Sequence, residues 1–449
     1  MAANITSDTA MQKLMVILHR LNLLKISRET GFVKRNPLKA QGDRFLLGFL
    51  NAVFSNQVSL MCLAFSIGQF INDTLSKVAV RKRLNAGFTA LLNRILAVVL
   101  SEQLQAQKPL FDSEALKSFN AVHIQDSTTL SLIAKLAAFF PGSGTHNGKQ
   151  TATLKIQLIY DALTERFAFF KIGSFRDNDQ KASPLILQVA QAGDLVIRDL
   201  GYFVLDVFVK LQQQGVFYLS RLKHGVNIFS ADGASPVDLV QLIKKHLKTS
   251  QTTAIPLDID VRIGTKTQLP TRLVIIPLPD DKANERRRKA NNNRDKRLNP
   301  DKDHMFLLGF NIFITNVDRQ TWNIKQVAEV YQLRWRIEII FKTWKSHFHI
   351  TEVPTSTADC VMAYIYAMLI YITLVHVFIF IPLYLTLYEQ QQKHLSLVKL
   401  TKLLSLISSC PLQEYMEIDN QENLIRQILY HGAYEIRKKR LSYPQMVAR

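Results

Sequence analysis

Cysteine is scarce in this sequence of 449 residues. The three cysteines lie far apart and show no CxxC spacing: Cys62, Cys360 and Cys410. They fit neither a disulfide framework nor a zinc knuckle, so we expect buried thiols in a reducing compartment. The eleven histidines also lack the HExxH and zinc-finger spacings. The first fifteen residues contain neither an apolar segment nor a small-residue cleavage site, so we do not expect secretion.

Acidic residues are outnumbered. Asp plus Glu total 36 against 56 Lys plus Arg, which leaves a net charge of +20. An excess of positive charge favours a polyanionic partner, because neutralising phosphates releases condensed counterions. Hydrophobic residues make up 47% of the chain, so it can bury a large core and is not of the disordered class. Its length predicts roughly two to four structural units.

Charge is absent from one long run. Residues 360–388 contain no Asp, Glu, Lys or Arg, and this length exceeds the ~20 residues needed to cross a bilayer. The run contains His376 and Pro382, and no second apolar run accompanies it. We therefore expect a buried core helix, or two helices broken near Pro382, and no membrane partner. A membrane-anchored protein is the alternative interpretation.

Short apolar, β-rich runs dominate residues 118–200. They are AVHIQD (121–126), TLKIQLIYDA (153–162), RFAFFKIG (166–173) and DLVIRD (194–199). Two of these runs end in aspartate, at Asp126 and Asp199. A carboxylate at the end of a buried strand is costly unless it is hydrogen-bonded, paired or bound to a metal. These two residues are therefore candidate metal ligands, with ordinary turn caps as the alternative.

The segment YQLRWRIEIIFKTWK (331–345) predicts a helix with two different faces. At 100° per residue its polar residues fall on one narrow stripe: Tyr331, Arg334, Glu338 and Lys345. The apolar residues form a separate stripe suited to a core: Leu333, Ile337, Ile340 and Trp344. We expect one side to pack and the other to carry function, although a solvated surface face would show the same pattern.

Two further regions are basic. Residues 1–100 are predicted to be helical, with Ser76 capping a helix that carries Arg81, Lys82 and Arg83, as a DNA-recognition helix or a surface helix would. Between Asp199 and Glu338 lie 138 residues, far more than one crossover needs. That interval contains further strand-like runs and a polar stretch, 281–302, which we expect to be a mobile basic loop that contacts phosphates.

The spacing Tyr331-x2-Arg334-x3-Glu338-x6-Lys345 resembles the Y-R-E-K signature of the insertion-sequence 4 family of bacterial DDE transposases. IQDSTTL around Asp126 and LVIRDLGYF around Asp199 resemble the two aspartate motifs of that family. SFRDNDQ (174–180) and FYLSRLK (217–223) are also similar to family segments. The motifs occur in the family's order and cover most of the chain.

This resemblance implies an α/β protein with an RNase H-like catalytic core, a β-rich insertion, and flanking helical N-terminal and C-terminal regions. The expected divisions are a helical DNA-binding region (1–105), the first part of the core (106–205), the insertion with its basic loop (206–320), the second part of the core (321–388) and a helical C-terminal region (389–449).

The resemblance further implies an enzyme that cuts transposon ends and joins them to target DNA. Asp126, Asp199 and Glu338 would hold two Mg²⁺ ions, with Mn²⁺ as a possible substitute. The expected contacts to phosphate are Tyr331, Arg334 and Lys345, and then Arg221, Lys223, Arg81, Lys82 and Arg83.

A hairpin on the transposon end can form in such enzymes, and an aromatic residue then usually stacks on an extruded base. Trp322 and Trp335 lie within range in the sequence, although we expect both in the core. The implied partners are double-stranded DNA, as inverted-repeat ends and as target, and a second copy of the chain in a synaptic homodimer. The implied location is the cytoplasm, on the nucleoid. A metal-dependent nuclease of the same fold and a non-catalytic DNA-binding protein are the alternatives.

Overall fold

A computed structural model describes residues 5–34, 42–103, 113–144, 150–249, 256–292, 301–353, 357–408 and 421–435. Within these ranges nine strands form one sheet. The strands are β1 (Val122–Leu132), β2 (Ala152–Asp161), β3 (Arg166–Ser174), β4 (Leu195–Arg198), β5 (Phe217–Arg221), β6 (Ile228–Phe229), β7 (Leu257–Ile263), β8 (Leu269–Pro277) and β9 (Phe310–Thr315). Their order is β3-β2-β1-β4-β5-β9-β8-β7-β6.

One half of the sheet has the RNase H-like arrangement. β1, β2 and β3 are antiparallel neighbours, whereas β4 is parallel to β1 and β5 is parallel to β4. The predicted α/β fold class is thereby confirmed. The other half extends the same sheet, because β9 pairs with β5 and is followed by β8, β7 and β6. Since β5 belongs to the first half, we propose that the insertion begins after Arg221.

Helices cover both faces of the sheet and also form the first and last elements of the described residues. They are α1 (Ile5–His19), α2 (Leu23–Glu29), α3 (Gly42–Phe54), α4 (Leu60–Ile71), α5 (Lys77–Arg83), α6 (Ala86–Gln103), α7 (Asp179–Ala182), α8 (Leu205–Gln213), α9 (Leu239–Thr249), α10 (Asp280–Asn291), α11 (Lys302–Leu307), α12 (Ile324–Tyr331), α13 (Trp335–Ser346), α14 (Ala358–Val375), α15 (Ile381–Gln391), α16 (Leu397–Ser408) and α17 (Gln421–Gly432). The cap of α5 is the predicted one: Ser76 Oγ accepts a hydrogen bond from the Ala79 amide at 3.1 Å.

Two hydrophobic cores sandwich the sheet. On one face, residues such as Ile124 and Ile197 pack against Ile337 and Ile340 of α13, and this core continues into α14 and the N-terminal helices. On the other face, Val196, Tyr218 and Ile314 pack against α8 and α9. Strands covered on both faces are expected to be apolar throughout. The near-continuous burial of β2 agrees with this expectation.

The uncharged run 360–388 lies mostly in the protein interior. Thirteen of the 18 residues of α14 are buried. The helix then passes through a π-helical turn at His376–Phe380 into α15, where Pro382 occupies the first turn. The stretch Ala358–Gln391 is long and apolar enough to cross a membrane, yet just over half of its apolar window is buried within the chain. The predicted core helix is confirmed for α14. In place of a break near Pro382, the π-helical turn joins α14 to α15, and α15 buries only one side.

The expectation of a basic loop at 281–302 was wrong for most of that segment. α10 covers Asp280–Asn291 and α11 begins at Lys302, while 293–300 lie outside the described residues. Acidic residues in the first turn of α10 and basic residues in its last turn both favour a helix through its dipole. The pair Glu285–Lys289, with 2.8 Å between charged atoms, adds support at i,i+4. The composition of the segment did not predict the helix α10.

Candidate active site

The register of the sheet places the two predicted aspartates on one face. Gln125 of β1 lies beside Arg198 of β4, and Arg198 lies beside Ser220 of β5. Successive residues of a strand point to opposite faces. The residues that follow these three, Asp126, Asp199 and Arg221, therefore share the opposite face, the one that α13 covers.

The guanidinium of Arg334 lies among three carboxylates. Its Nη2 is 2.8 Å from Glu338 Oε1. Its Nη1 is 3.8 Å from Asp126 Oδ2, and its Nε is 3.9 Å from Asp199 Oδ1. The structure thus brings together three acidic residues that are far apart in the sequence, as predicted. Asp199 and Glu338 are partly exposed, whereas Asp126 lies deeper.

Asp126 is the carboxylate at which negative charge is most costly. Burial raises its pKa to about 6, and the neighbouring charges of Asp199 and Glu338 add to this shift. The Ser127 amide, which donates to Oδ1 at 2.7 Å, and the charge of Arg334 act in the opposite direction. A cation bound beside Asp126 would relieve this cost.

Arg334 supplies the positive charge in this arrangement. Burial lowers its pKa, but the charges of Asp199, Tyr331, Glu338 and Asp126 raise it above the ordinary value. Within the described ranges no three His, Cys, Asp or Glu side chains are grouped closely enough to hold a metal as they stand. The donor set nevertheless fits a hard divalent cation, because three carboxylates already surround one positive group.

The predicted helix at 331–345 is interrupted. α12 ends at Tyr331, a 3₁₀ turn spans Gln332–Arg334, and α13 begins at Trp335. The apolar stripe is buried as predicted: Leu333, Ile337, Ile340 and Trp344 are each at most 2% exposed. Lys345 lies exposed in the last turn of α13. The two-sided character of the segment is confirmed, whereas its continuity as one helix is not.

Tyr331 is half-buried at the start of this turn and packs against the core. Its ring centroid lies 5.0 Å from that of Phe313 on β9. Burial raises its pKa to about 12, and the charge of Asp199 acts in the same direction. The positive charges of Arg334 and Arg221 lower it. Tyr331 is therefore a neutral hydroxyl close to the acidic cluster, able to donate one hydrogen bond.

The two tryptophans differ from each other. Trp322 is fully buried, and its Nε1 donates to the Ala115 carbonyl at 2.6 Å, so its predicted place in the core is confirmed. Trp335 was also expected in the core, and this was wrong: it is 52% exposed. Trp335 lies about 200° from Ile337 around α13, so helical geometry turns it outward. The Arg334 guanidinium lies 5.4 Å from its ring centre.

The other candidate DNA contacts are distributed over two regions. Arg221 is half-buried and Lys223 exposed, and both line a cavity of about 660 Å³ between β5, β9, α9 and α11. Arg81 and Lys82 are exposed on α5. Arg83 instead lies over the rings of Phe32 and Phe45, at 5.1 and 4.5 Å, and burial lowers its pKa. Its guanidinium therefore packs against the N-terminal core.

Two arginines lie near the site, and sequence analysis missed the position of both, although Arg286 belongs to the segment 281–302 that was expected to contact phosphates. Arg286 of α10 donates to the Phe310 carbonyl at 3.2 Å and to Asn311 Oδ1 at 2.8 Å. Burial lowers its pKa, and the nearby charge of Arg221 lowers it further, so the two positive groups are neighbours. The position of Arg286 was not predicted because a loop was expected here. The helix α10 is what brings Arg286 back to β9.

Arg198 is the second missed arginine, and it lies on the sheet face opposite the carboxylates. It is completely buried and donates to Gln125 Oε1 and to the Ser183 carbonyl, both at 2.6 Å. Burial lowers its pKa to about 9. This contact ties β4 to β1 directly beneath Asp199 and Asp126. The sequence contained no signal for it beyond an arginine within an apolar run.

An RNase H-like sheet with carboxylates on the first strand, after the fourth strand and on a later helix defines the class: an enzyme that cuts nucleic-acid phosphodiesters. The comparisons with known proteins give the family. The model described as Transposase DDE domain matches residues 120–374, more than half of the chain, and the chain belongs to this family. The resemblance predicted from the sequence is thereby confirmed.

Curated relatives agree with the family. The chain is 30% identical over 367 residues to the transposase for insertion sequence element IS231F of Bacillus thuringiensis subsp. israelensis, covering 78% of this chain and 76% of the relative. It is 29% identical over 393 residues to the transposase for IS1151 of Clostridium perfringens, covering 84% and 81%. The piggyBac transposase synaptic complex with hairpin DNA matches 97% of the chain at 10% identity and a TM-score of 0.43, too distant to support a conclusion.

The chain is thus a DNA transposase of a DDE family, an enzyme of DNA cleavage and strand transfer. Membership favours this activity over the alternatives of a simple nuclease and a non-catalytic DNA-binding protein. It also implies dependence on divalent metal ions and DNA as the partner.

Proposed function

We propose that Asp126, Asp199 and Glu338 are the catalytic carboxylates of this transposase and bind two Mg²⁺ ions, for which Mn²⁺ can substitute. The observation that carries the proposal is their convergence on the guanidinium of Arg334, at 2.8 to 3.9 Å. Two such ions, when bound, activate the attacking oxygen and stabilise the leaving oxygen of a phosphodiester. The raised pKa of Asp126 supports its assignment as a ligand, because a bound cation would stabilise the charged carboxylate.

Tyr331, Arg334 and Lys345 are the proposed phosphate contacts. Arg334 binds the carboxylates here, and in the DNA complex we expect its guanidinium to donate to phosphate oxygens instead. Lys345 is exposed at the far end of α13 and would contact phosphate as a point charge. Arg221, beside Tyr331, and the exposed Lys223, Arg81 and Lys82 extend this basic surface, while Arg83 is a weaker candidate because it packs on aromatic rings.

The proposed reaction has two stages. Hydrolysis first frees a 3′-hydroxyl at the transposon end, and that hydroxyl then attacks a phosphate of the target DNA. If a hairpin forms between them, Trp335 is the aromatic residue we propose for stacking on an extruded base, since it is exposed and adjoins Arg334. Joining two ends calls for a homodimer in the synaptic complex, and we propose that the protein acts in the cytoplasm, on the nucleoid.

The test uses purified protein and duplex DNA that carries the inverted repeats of its own element, with a labelled target. We expect cleavage at the repeat and joined product in Mg²⁺ or Mn²⁺ and neither in EDTA. Asp199→Asn should bind the ends and yield neither product. Cleavage without joining, under conditions that assemble paired ends, would favour the nuclease instead.

A further inference from the structure

The tight turn between β2 and β3 contains a glutamate that the proposed chemistry does not use. Glu165 is fully buried and adopts a left-handed backbone with φ of +55°. Residues other than glycine rarely adopt this conformation unless the surrounding structure holds them there. The turn is therefore fixed by contacts of the Glu165 side chain and carbonyl rather than by its own local preference.

The partner of the Glu165 carboxylate is Arg336 of α13, which is 1% exposed. Arg336 Nε donates to both carboxylate oxygens, at 2.9 and 3.2 Å, and its Nη2 also donates to Oε2. Such a forked pair fixes orientation as well as distance. Arg336 precedes Glu338 by two residues, so the two side chains project from α13 about 200° apart. The fork therefore determines how far α13 is rotated towards the acidic cluster.

His376 completes this cluster from the core helix. It is the first residue of the π-helical turn, and its Nε2 donates to the Glu165 carbonyl at 2.6 Å. Burial lowers the pKa of His376 to about 3, and the charge of Arg336 adds to the effect, so the ring is neutral at physiological pH. π-helical turns within α-helices occur frequently at functional sites. The β2–β3 turn, α13 and the π-helical turn thus meet in one buried cluster.

We propose that Glu165 and His376 are positioning residues which, through Arg336, hold α13 at the rotation that brings Glu338 to Asp126 and Asp199. A buried ion pair contributes little net stability compared with apolar side chains of the same volume. Its directional bonds, however, restrict a helix more tightly than apolar packing does. This proposal rests on the proposed role of Glu338.

The experiment measures Mn²⁺ binding to the DNA-free protein by electron paramagnetic resonance, together with cleavage, end binding and melting temperature. The double variant Glu165→Gln/Arg336→Gln removes both charges and keeps two groups able to hydrogen-bond, so neither charge is left buried alone. We expect end binding within about twofold of the parent, Mn²⁺ affinity about tenfold weaker, and cleavage that recovers in part at high Mn²⁺. Arg336→Lys, a milder change that keeps the charge but loses the fork, should shift Mn²⁺ affinity in the same direction.

Val99→Ala in α6 is the control for a simple loss of stability, since this buried residue lies in the N-terminal helices. It should lower the melting temperature and leave Mn²⁺ affinity unchanged. Unchanged Mn²⁺ affinity in both the double variant and Arg336→Lys would overturn the positioning role while leaving the proposed function intact. Parental cleavage by Asp126→Asn would instead show that the proposed function itself is wrong.

Discussion

An arginine–glutamate pair lies on each side of α13, and the two pairs differ in burial. Arg334 and Glu338 are 13% and 38% exposed in their side chains, with 2.8 Å between charged atoms. Arg336 and Glu165 are 2% and 0% exposed. Solvent can replace the first pair's bond, so its members can take other partners, whereas the second pair is shielded from solvent. The same two residue types can therefore exchange partners on one side of α13, whereas on the other side they hold the helix in place.

The largest expected effect is on the exchangeable side. Glu338→Gln keeps the shape and removes the charge, so cleavage of transposon ends should fall more than about a thousandfold, because hard cations require charged oxygen ligands. Folding stability should change by less than about 1 kcal/mol at this partly exposed position. Gel assays of cleavage and of end binding measure this. Cleavage near the parental rate would mean that the polar stripe is only a solvated face.

Substitutions in the buried pair should mainly lower the free energy of unfolding. Arg336→Ala leaves the Glu165 charge unpaired in the interior and should cost about 3–5 kcal/mol. Arg334→Ala should cost only about 1–2 kcal/mol in EDTA, and Mg²⁺ should restore most of that loss, since a cation can again neutralise the carboxylates. Urea denaturation with and without Mg²⁺ separates the two. Equal losses of stability in the two variants, or recovery of the stability of Arg336→Ala in Mg²⁺, would contradict the difference between the two pairs.

The raised pKa of Asp126 predicts the direction in which stability changes with pH. Its pKa of about 6 exceeds the ordinary 3.8, so at intermediate pH the folded state binds a proton that the unfolded chain has released. Stability should therefore fall as pH rises from about 4 to above 6. Asp126→Asn removes this cost and should stabilise the metal-free protein by roughly 1–3 kcal/mol at pH 8 and by little at pH 4.

Denaturation in EDTA at the two pH values checks the Asp126 prediction. Asp318→Asn is the matched control, because a hydrogen bond from the Thr321 amide lowers the pKa of Asp318 and the change should not stabilise the protein at pH 8. Stability equal to the parent in Asp126→Asn at pH 8 would contradict the raised pKa.

The smallest effect concerns α10. Arg286 and Arg287 donate to β9 and to Met305 and Asn284, whereas Arg288 and Lys289 are exposed. Arg288→Ala/Lys289→Ala should reduce the slope of log binding constant against log salt by at most about 2, one per lost phosphate contact. Binding measured over a salt series tests this. An unchanged slope would show that these residues of α10 do not contact DNA phosphates.

Local patterns predicted the parts of the site that local sequence determines. The strand run before Asp199 and the apolar stripe through Ile337 and Ile340 follow from periodicity and burial, whereas β1 continues beyond Asp126 to Leu132. Periodicity could not reveal the 3₁₀ turn at Gln332–Arg334. It did place Trp335 opposite the apolar stripe, so the assignment of Trp335 to the core disregarded the helical pattern. Composition likewise could not distinguish a basic loop from α10, whose order comes from i,i+4 charges and contacts with β9.

Long-range polar contacts were beyond prediction for a different reason. Arg336 meets Glu165 across 171 residues of sequence, and Arg198 meets Gln125 across 73. A lone arginine in an apolar run is ordinarily expected to face solvent, and only the tertiary structure shows the group that neutralises or binds it. The residues around the site that hold it in place are therefore the ones that sequence analysis failed to identify.

The direct pairing of β9 with β5 has a mechanical consequence. A module joined to its neighbour by a flexible tether would move freely when pulled, but here the backbone hydrogen bonds run unbroken from β8 through β9 and β5 to β4. A force applied to the outer strands would therefore be transmitted across the sheet to β4, the strand that precedes Asp199. The outer strands and the strands that carry the proposed carboxylates would move as one unit.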